Sequence, residues 1–186
     1  MTKKHDIIWL DSIDSTNDEA RRHISELDNL SVLSVSDQTA GKGQRGNSWL
    51  STAGENLTFS IVLKNSPDWK TECLKASDQY TISRVTAESV VDLLARCGIQ
   101  AWIKQPNDIY VDDMKICGML IENGIRGDRL DYSIIGIGLN VNQTLFDPSL
   151  PNPISMCSIT GRRYFLRDLL EEFMEIFSEK MLLSLA

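Results

Sequence analysis

The stretch Ile109-Tyr110-Val111-Asp112-Asp113-Met114-Lys115-Ile116-Cys117-Gly118-Met119-Leu120-Ile121-Glu122 decides the fold class. Ile109 to Val111 and Ile116 to Glu122 are apolar, strand-like runs, and Asp112-Asp113-Met114-Lys115 between them is a tight turn, so the whole reads as a hairpin. Gln100 to Lys104 before it and Asp131 to Val141 after it read as further strands, and this series predicts a largely antiparallel sheet. Upstream, Ala76 to Cys97 is expected to be a helix that turns Ile82, Val85, Val90, Val91, Leu93 and Leu94 to a core and ends at Gly98, a good capping residue. Nearer the start, Ile7 to Leu10, Leu30 to Val35 and Asn56 to Leu63 read as strands. Between the first two, Ser15-Thr16-Asn17-Asp18-Glu19 opens a helix towards Leu27, with Ser15 and Asp18 at capping-box spacing. After a connection marked by Pro148, Pro151 and Pro153, Tyr164 to Leu185 is apolar at helical spacing and is expected to pack on the sheet.

Composition narrows the setting. With 186 residues and 42% hydrophobic content, one domain spanning 1–186 with a sizeable core is expected. A net charge of -7 argues against general attraction to nucleic acid or to anionic membranes, both of which need a basic face. Cys73, Cys97, Cys117 and Cys157 form no C-x-x-C pair, and only His5 and His23 could add imidazole, so neither a zinc site nor a disulfide framework is expected. A reducing cytoplasm is the expected compartment, with neither signal peptide nor membrane anchor.

Against this acidic background one segment concentrates cations. Gln38-Thr39-Ala40-Gly41-Lys42-Gly43-Gln44-Arg45-Gly46-Asn47-Ser48-Trp49 packs three glycines, a lysine, an arginine and a tryptophan into a loop framed by strands. Glycines permit the close approach and positive φ that let backbone N–H groups converge on an anion, and Lys42 and Arg45 add charge. Trp49 adds a flat apolar face. The segment lacks the G-K-[ST] ending of a P-loop.

Two other groupings stand out. Lys104-Gln105-Pro106-Asn107-Asp108 precedes the hairpin, and Lys115 lies on the adjacent strand, so that a carboxylate and an ammonium could converge. In Gly136-Ile137-Gly138-Leu139-Asn140, small residues inside a strand let something bulky approach, and Asn140 can both donate and accept hydrogen bonds. Taken singly, Trp49 reads as a core aromatic, Asn107 as a turn former, Asp108 as a surface carboxylate and Lys115 as a hairpin-end lysine. The set in order is what carries weight.

That order resembles the biotin protein ligases, the biotin–acetyl-CoA-carboxylase ligases. Ser15-Thr16-Asn17, the Gln38 to Trp49 loop, Lys104 to Asp108 with Lys115 beyond, and Gly136 to Asn140 match in sequence, from about Asp11 into the last helix. The resemblance implies an α+β fold, a mainly antiparallel or mixed sheet packed with helices, shared by biotin and lipoate ligases. It implies a reaction in which biotin and ATP give biotinyl-5'-adenylate and pyrophosphate, after which biotin passes to a lysine of a biotin carboxyl carrier protein. Carried over to this chain, Ser15, Thr16, Asn17 and Gln38 surround the ureido ring, and Lys42, Gly43 and Gln44 close over the biotin carboxylate and the phosphate. Gly41, Arg45, Trp49, Asn107 and Asn140 belong to the ATP or adenylate side, with Trp49 against the adenine. Lys115 is the leading catalytic candidate, a cation bridging carboxylate and α-phosphate that also contacts biotin. Asp108 would help place magnesium or the reacting groups and assist deprotonation of the acceptor lysine.

The chain departs from that pattern at Lys42 and Gln44, where relatives commonly carry arginine, and at Gln105, where tryptophan is frequent. Lysine keeps the charge without the planar fork, and glutamine keeps hydrogen bonding without charge, so weaker closure over the adenylate is expected. The small C-terminal β domain and the N-terminal DNA-binding winged helix of some relatives are expected to be absent, which disfavours a repressor role. A lipoate ligase on the same scaffold and a non-catalytic biotin or adenylate binder are the alternatives, and a homodimer through sheet edges near the loop is an expectation from resemblance alone.

Overall fold

The structure is a computed structural model and describes residues 6–64, 74–106 and 108–185. Seven strands form one sheet: β1 (Ile7–Ile13), β2 (Val32–Gln38), β3 (Leu57–Lys64), β4 (Trp102–Lys104), β5 (Asp108–Val111), β6 (Met114–Arg126) and β7 (Arg129–Leu139), in the spatial order β1-β2-β3-β7-β6-β5-β4. All neighbours are antiparallel except β1 and β2, which run parallel because α1 (Thr16–Arg22) carries the chain back between them. That pair makes the sheet mixed, within the expected mainly antiparallel or mixed class.

The expected hairpin is present, with a shorter turn. Asp112 and Asp113 alone join Val111 to Met114, with Asp112 at φ 50, a left-handed conformation that aspartate tolerates. The expected helix before the hairpin begins as a 3-10 turn, Ala76–Asp78, and continues as α2 (Gln79–Arg96). Gly98, at φ +80, donates its N–H to the Ala95 carbonyl and stops the helix as expected. The last helix, α4, is Leu166–Ser184. In the proline-marked connection lies a helix that the periodicity did not reveal, α3 (Met156–Thr160), capped by the Ser155 hydroxyl.

The two faces of the sheet differ. On one, Phe59, Ile61, Ile135, Ile137, Leu139 and Met119 pack with the buried stripes of α2 and α4 into the main core, where Phe173 meets Phe59 edge-on at 5.4 Å and stacks on Phe177 at 5.8 Å. On the other face a smaller cluster, Ala20, Leu27, Leu33, Val62 and Ile134, seats α1 over only part of the sheet. Beside it the middles of the cross-strand rows, at Thr58, Gly138 and Gly118 and at Ser60 and Gly136, carry small or polar residues. Val35, Thr58, Gly138, Gly118 and Asp108 lie opposite one another in one row, and Leu33, Ser60, Gly136 and Leu120 in the next. α1 therefore covers one end of this face and leaves a hollow at the other.

Candidate active site

The hollow is a cavity of about 250 Å³, floored by Gly118, Gly136 and Gly138, walled by the start of α1 and roofed by the Gly-rich loop. Of the residues expected at the site, it brings together Ser15, Thr16, Asn17, Gln38, Lys42, Gly43, Gln44, Arg45, Trp49, Asp108 and Lys115. Gly41 lies against a neighbouring hollow instead, and Asn107 falls outside the described residues. Asn140 does not line the cavity. Its amide donates to the Ile154 carbonyl at 3.0 Å and its backbone pairs with Ile116 and Met156, so it fastens the segment after β7.

One end of the cavity is neutral and heavily hydrogen-bonded. The Gln38 side-chain oxygen accepts from the Thr16 backbone N–H at 2.9 Å, and Ser60 Oγ lies 2.7 Å from Thr16 Oγ1 and 2.6 Å from Asn17 Oδ1. Asn17 Nδ2 donates to the Glu122 carboxylate at 2.7 Å and to the Leu120 carbonyl at 3.2 Å. Asn17 sits here because β7 has glycine beneath it: a Cβ on Gly136 would stand 2.3 Å from its Oδ1. Ser15 is partly committed, since its hydroxyl accepts from the Asp18 N–H at 3.5 Å as the cap of α1. The expected reciprocal half of the capping box is missing, because the Ser15 N–H donates to Asp14 and the Asp18 carboxylate turns to Lys42 and Arg21.

The other end is charged. Lys115 Nζ lies 2.8 Å from Asp108 Oδ1 as an ion pair, although the approach lacks hydrogen-bond angles. A bulge brings the two together. Ile109 opposes Cys117 but Tyr110 opposes Lys115, so Ile116 is an extra residue in β6. Ile116 and Cys117 both turn into the core, and Lys115 and Gly118 flank them on the cavity side. Burial pushes the Cys117 thiol well above its usual range, so it stays protonated beside the lysine. The far edge of the Lys115 backbone is held as well, by the Asn152 carbonyl at 2.8 Å and the Ile154 N–H at 3.0 Å, a pairing made by the proline-marked segment.

The loop is organised as a small hairpin. Gly43 N–H donates to the Asn47 carbonyl at 2.7 Å, Trp49 N–H donates to the Gly41 carbonyl at 2.9 Å, and Lys42 bridges Ser48. The N–H groups of Gly43, Asn47 and Trp49 are thus paired with the loop's own carbonyls. Positive φ falls at Arg45 (57°) and Gly46 (80°), whereas Gly41 is needed for close approach: a Cβ there would stand 2.4 Å from the Trp49 carbonyl oxygen. Lys42 reaches across to Asp18 at 2.6 Å. That hydrogen bond, opposed by partial burial and reinforced by Arg21, holds the Asp18 carboxyl below the usual carboxylate range. Trp49 lies on the glycine floor, where a Cβ on Gly138 would come within 2.2 Å of its ring, and its indole N–H is buried without a partner among the described residues. The bulky group that these glycines admit is thus the protein's own indole.

Sequence reasoning did not single out Thr58, Ser60, Gly118, Asp18 or Glu122. A period-two reading of Leu57-Thr58-Phe59-Ser60-Ile61 finds the first two, because a polar residue at every second position of an apolar strand marks a second face.

Residues 9–140 match the Biotin/lipoate A/B protein ligase family. The bifunctional ligase/repressor BirA of Bacillus subtilis is 36% identical over 138 residues, which are 74% of this chain and 41% of that protein. The biotin--[acetyl-CoA-carboxylase] ligase of Paracoccus denitrificans is 31% identical over 155 residues, 80% of this chain and 61% of that protein. The chain thus spans 41% of the Bacillus relative's length. Among solved structures, the biotin protein ligase from Aquifex aeolicus in complex with biotin and ATP superposes with a TM-score of 0.79 at 28% identity, covering 95% of this chain and 70% of that one. With the family model matched over residues 9–140 of 186, the chain belongs to the biotin/lipoate A/B protein ligase family.

Proposed function

We propose that the chain is the catalytic unit of an ATP-dependent biotin protein ligase, working in a reducing cytoplasm. The observation that carries this reading is one cavity with a neutral hydrogen-bonding end at Thr16, Asn17 and Gln38 and a charged end at Asp108 and Lys115, with Lys42 on the loop that roofs it. A biotin molecule needs both, a ureido group with a carbonyl and two N–H groups at one end and a carboxylate at the other. In the first step a carboxylate oxygen of biotin attacks the α-phosphorus of ATP, and the bond to the β-phosphate oxygen breaks to release pyrophosphate. Two anions must meet, and Lys115, fixed by Asp108 and by backbone pairing on both edges, offers a positive charge where they do. In the second step the amine of a carrier lysine attacks the acyl carbon and AMP leaves, with Asp108 placed to receive the proton.

Arg45, Gly43 and Gln44 also line the cavity and would close on the phosphates, with Trp49 leaving the glycine floor or shifting on it to meet the adenine. Magnesium would enter with ATP. Among the described residues no three His, Cys, Asp or Glu side chains cluster, so the nucleotide phosphates would supply most of its ligands, with Asp108 the carboxylate at hand. No described helix is long and apolar enough to cross a membrane.

The test incubates the chain with ATP, magnesium, biotin and a biotin carboxyl carrier domain, with lipoate in a parallel reaction. Biotinyl-lysine and pyrophosphate are expected with biotin only. Lys115→Ala should slow adenylate formation by at least about 100-fold while changing biotin affinity far less. Biotin binding without either product would reduce the chain to a binder.

A further inference from the structure

Three charged residues that do not line the cavity connect the loop above it to an amide on its wall. Lys42 Nζ lies 2.6 Å from one oxygen of Asp18, whose other oxygen is 2.7 Å from Arg21 Nη1. Arg21 Nη2 lies 2.6 Å from one oxygen of Glu122, whose other oxygen accepts from Asn17 Nδ2 at 2.7 Å. The series Lys42, Asp18, Arg21, Glu122 alternates in sign, and each carboxylate divides its two oxygens between its two neighbours. It begins on the loop that roofs the cavity, crosses the exposed side of α1 and ends on an amide that is 3% exposed and faces the cavity floor.

We propose that Asp18, Arg21 and Glu122 are positioning residues that couple closure of the Gly-rich loop to the orientation of Asn17. The inference rests on the reading of the cavity as a biotin site. Asn17 has few ways to turn. Its oxygen meets Ser60 Oγ and its nitrogen meets Glu122 and the Leu120 carbonyl, so the Glu122 charge selects the flip in which Nδ2 faces β6 and Oδ1 faces Ser60. Arg21 holds that carboxylate in place and also holds Asp18, which is 19% exposed and therefore less screened than an ordinary surface partner. Asp18 in turn keeps the Lys42 ammonium over the cavity mouth. A ligand that fits the correctly turned Asn17 therefore strengthens the arrangement that holds the loop down, and a closed loop strengthens the arrangement that fits the ligand.

Physical intermediacy alone does not establish coupling, so the test is a cycle with two isosteric, charge-removing variants, Asp18→Asn and Glu122→Gln, and their combination. Biotin affinity is measured by calorimetry, and trypsin cleavage in the segment from Lys42 to Arg45 is timed without ligand. Glu122→Gln should weaken biotin about tenfold, as loss of a charged acceptor does, and also speed loop cleavage about threefold although Glu122 touches no loop residue. Asp18→Asn should speed cleavage and weaken biotin about threefold although Asp18 does not line this cavity. The double variant should lose less affinity than the product of the single losses, and Asp18→Glu should restore most of the Asp18→Asn defect. Losses that multiply, or loop cleavage unchanged by Glu122→Gln, would overturn the coupling. Wild-type chain that binds no biotin would sink the functional reading instead, and the cleavage arm would still decide whether Glu122 holds the loop.

Discussion

Thr58 and Phe59 are adjacent in β3 and face opposite ways, and the contrast between their two faces explains how the fold combines stability with a site. Phe59 is buried among the aromatic rings of α4, while Thr58, one residue earlier, borders a cavity. β7 repeats the division with Ile135, Ile137 and Leu139 on the packed face and Gly136 and Gly138 on the other. One face derives its stability from apolar volume, and the other is shaped by what has been left out. Tolerance to substitution should therefore differ in kind between neighbouring residues. On the packed face a smaller side chain does the damage, and on the cavity face a larger one does.

The most severe test is Phe59→Ala, which removes the edge-on partner of Phe173 and should cost about 3–5 kcal/mol, read as a lowered midpoint in urea unfolding. A loss under about 1 kcal/mol would mean that the two faces are not distinguished by packing. Next comes Gly136→Ala on the cavity face. Its methyl group would meet Asn17 Oδ1 at 2.3 Å, so the side chain must leave Ser60 or Glu122. The expected cost to stability is about 1–3 kcal/mol, with a disproportionate loss of biotin affinity by calorimetry. Equal affinity in the variant would detach Asn17 from ligand binding. The mildest is Thr58→Val, which keeps the volume on the glycine side and should move stability by no more than about 0.5 kcal/mol. A large unfolding shift there would show that the cavity face carries structural load as well.

How much could be read in advance depended on how local the determining contacts are. The β5–β6 hairpin and α2 were legible because a two-residue turn, an apolar stripe and Gly98 lie within a few residues of what they determine. The parallel pairing of β1 with β2 was not, because Ile7 meets Val32 across an intervening helix and β1 is too unevenly exposed to show a period. α3 has only five residues, fewer than helical periodicity needs to appear. At the site, the loop, Lys115, Asp108 and the Ser15 to Asn17 turn were identified by their composition and order. What composition could not convey was commitment: Lys42 is engaged by Asp18, the Gly43, Asn47 and Trp49 N–H groups by the loop's own carbonyls, and Asn140 by Ile154. Glu122 escaped notice because it ends an apolar run and reads as an ordinary strand terminus, and only the fold brings it to Asn17.

The extra residue at Ile116 gives β6 a sensitivity that no single side chain reveals. Between Tyr110 and Gly118 the chain must count an odd step for Lys115 to emerge on the same side as the glycine floor. Deleting one residue there would restore a regular ladder and turn the ammonium into the apolar interior, without altering any chemical group. In this strand, function is stored as a parity: side chains along it can be exchanged within limits, but its length cannot change by one.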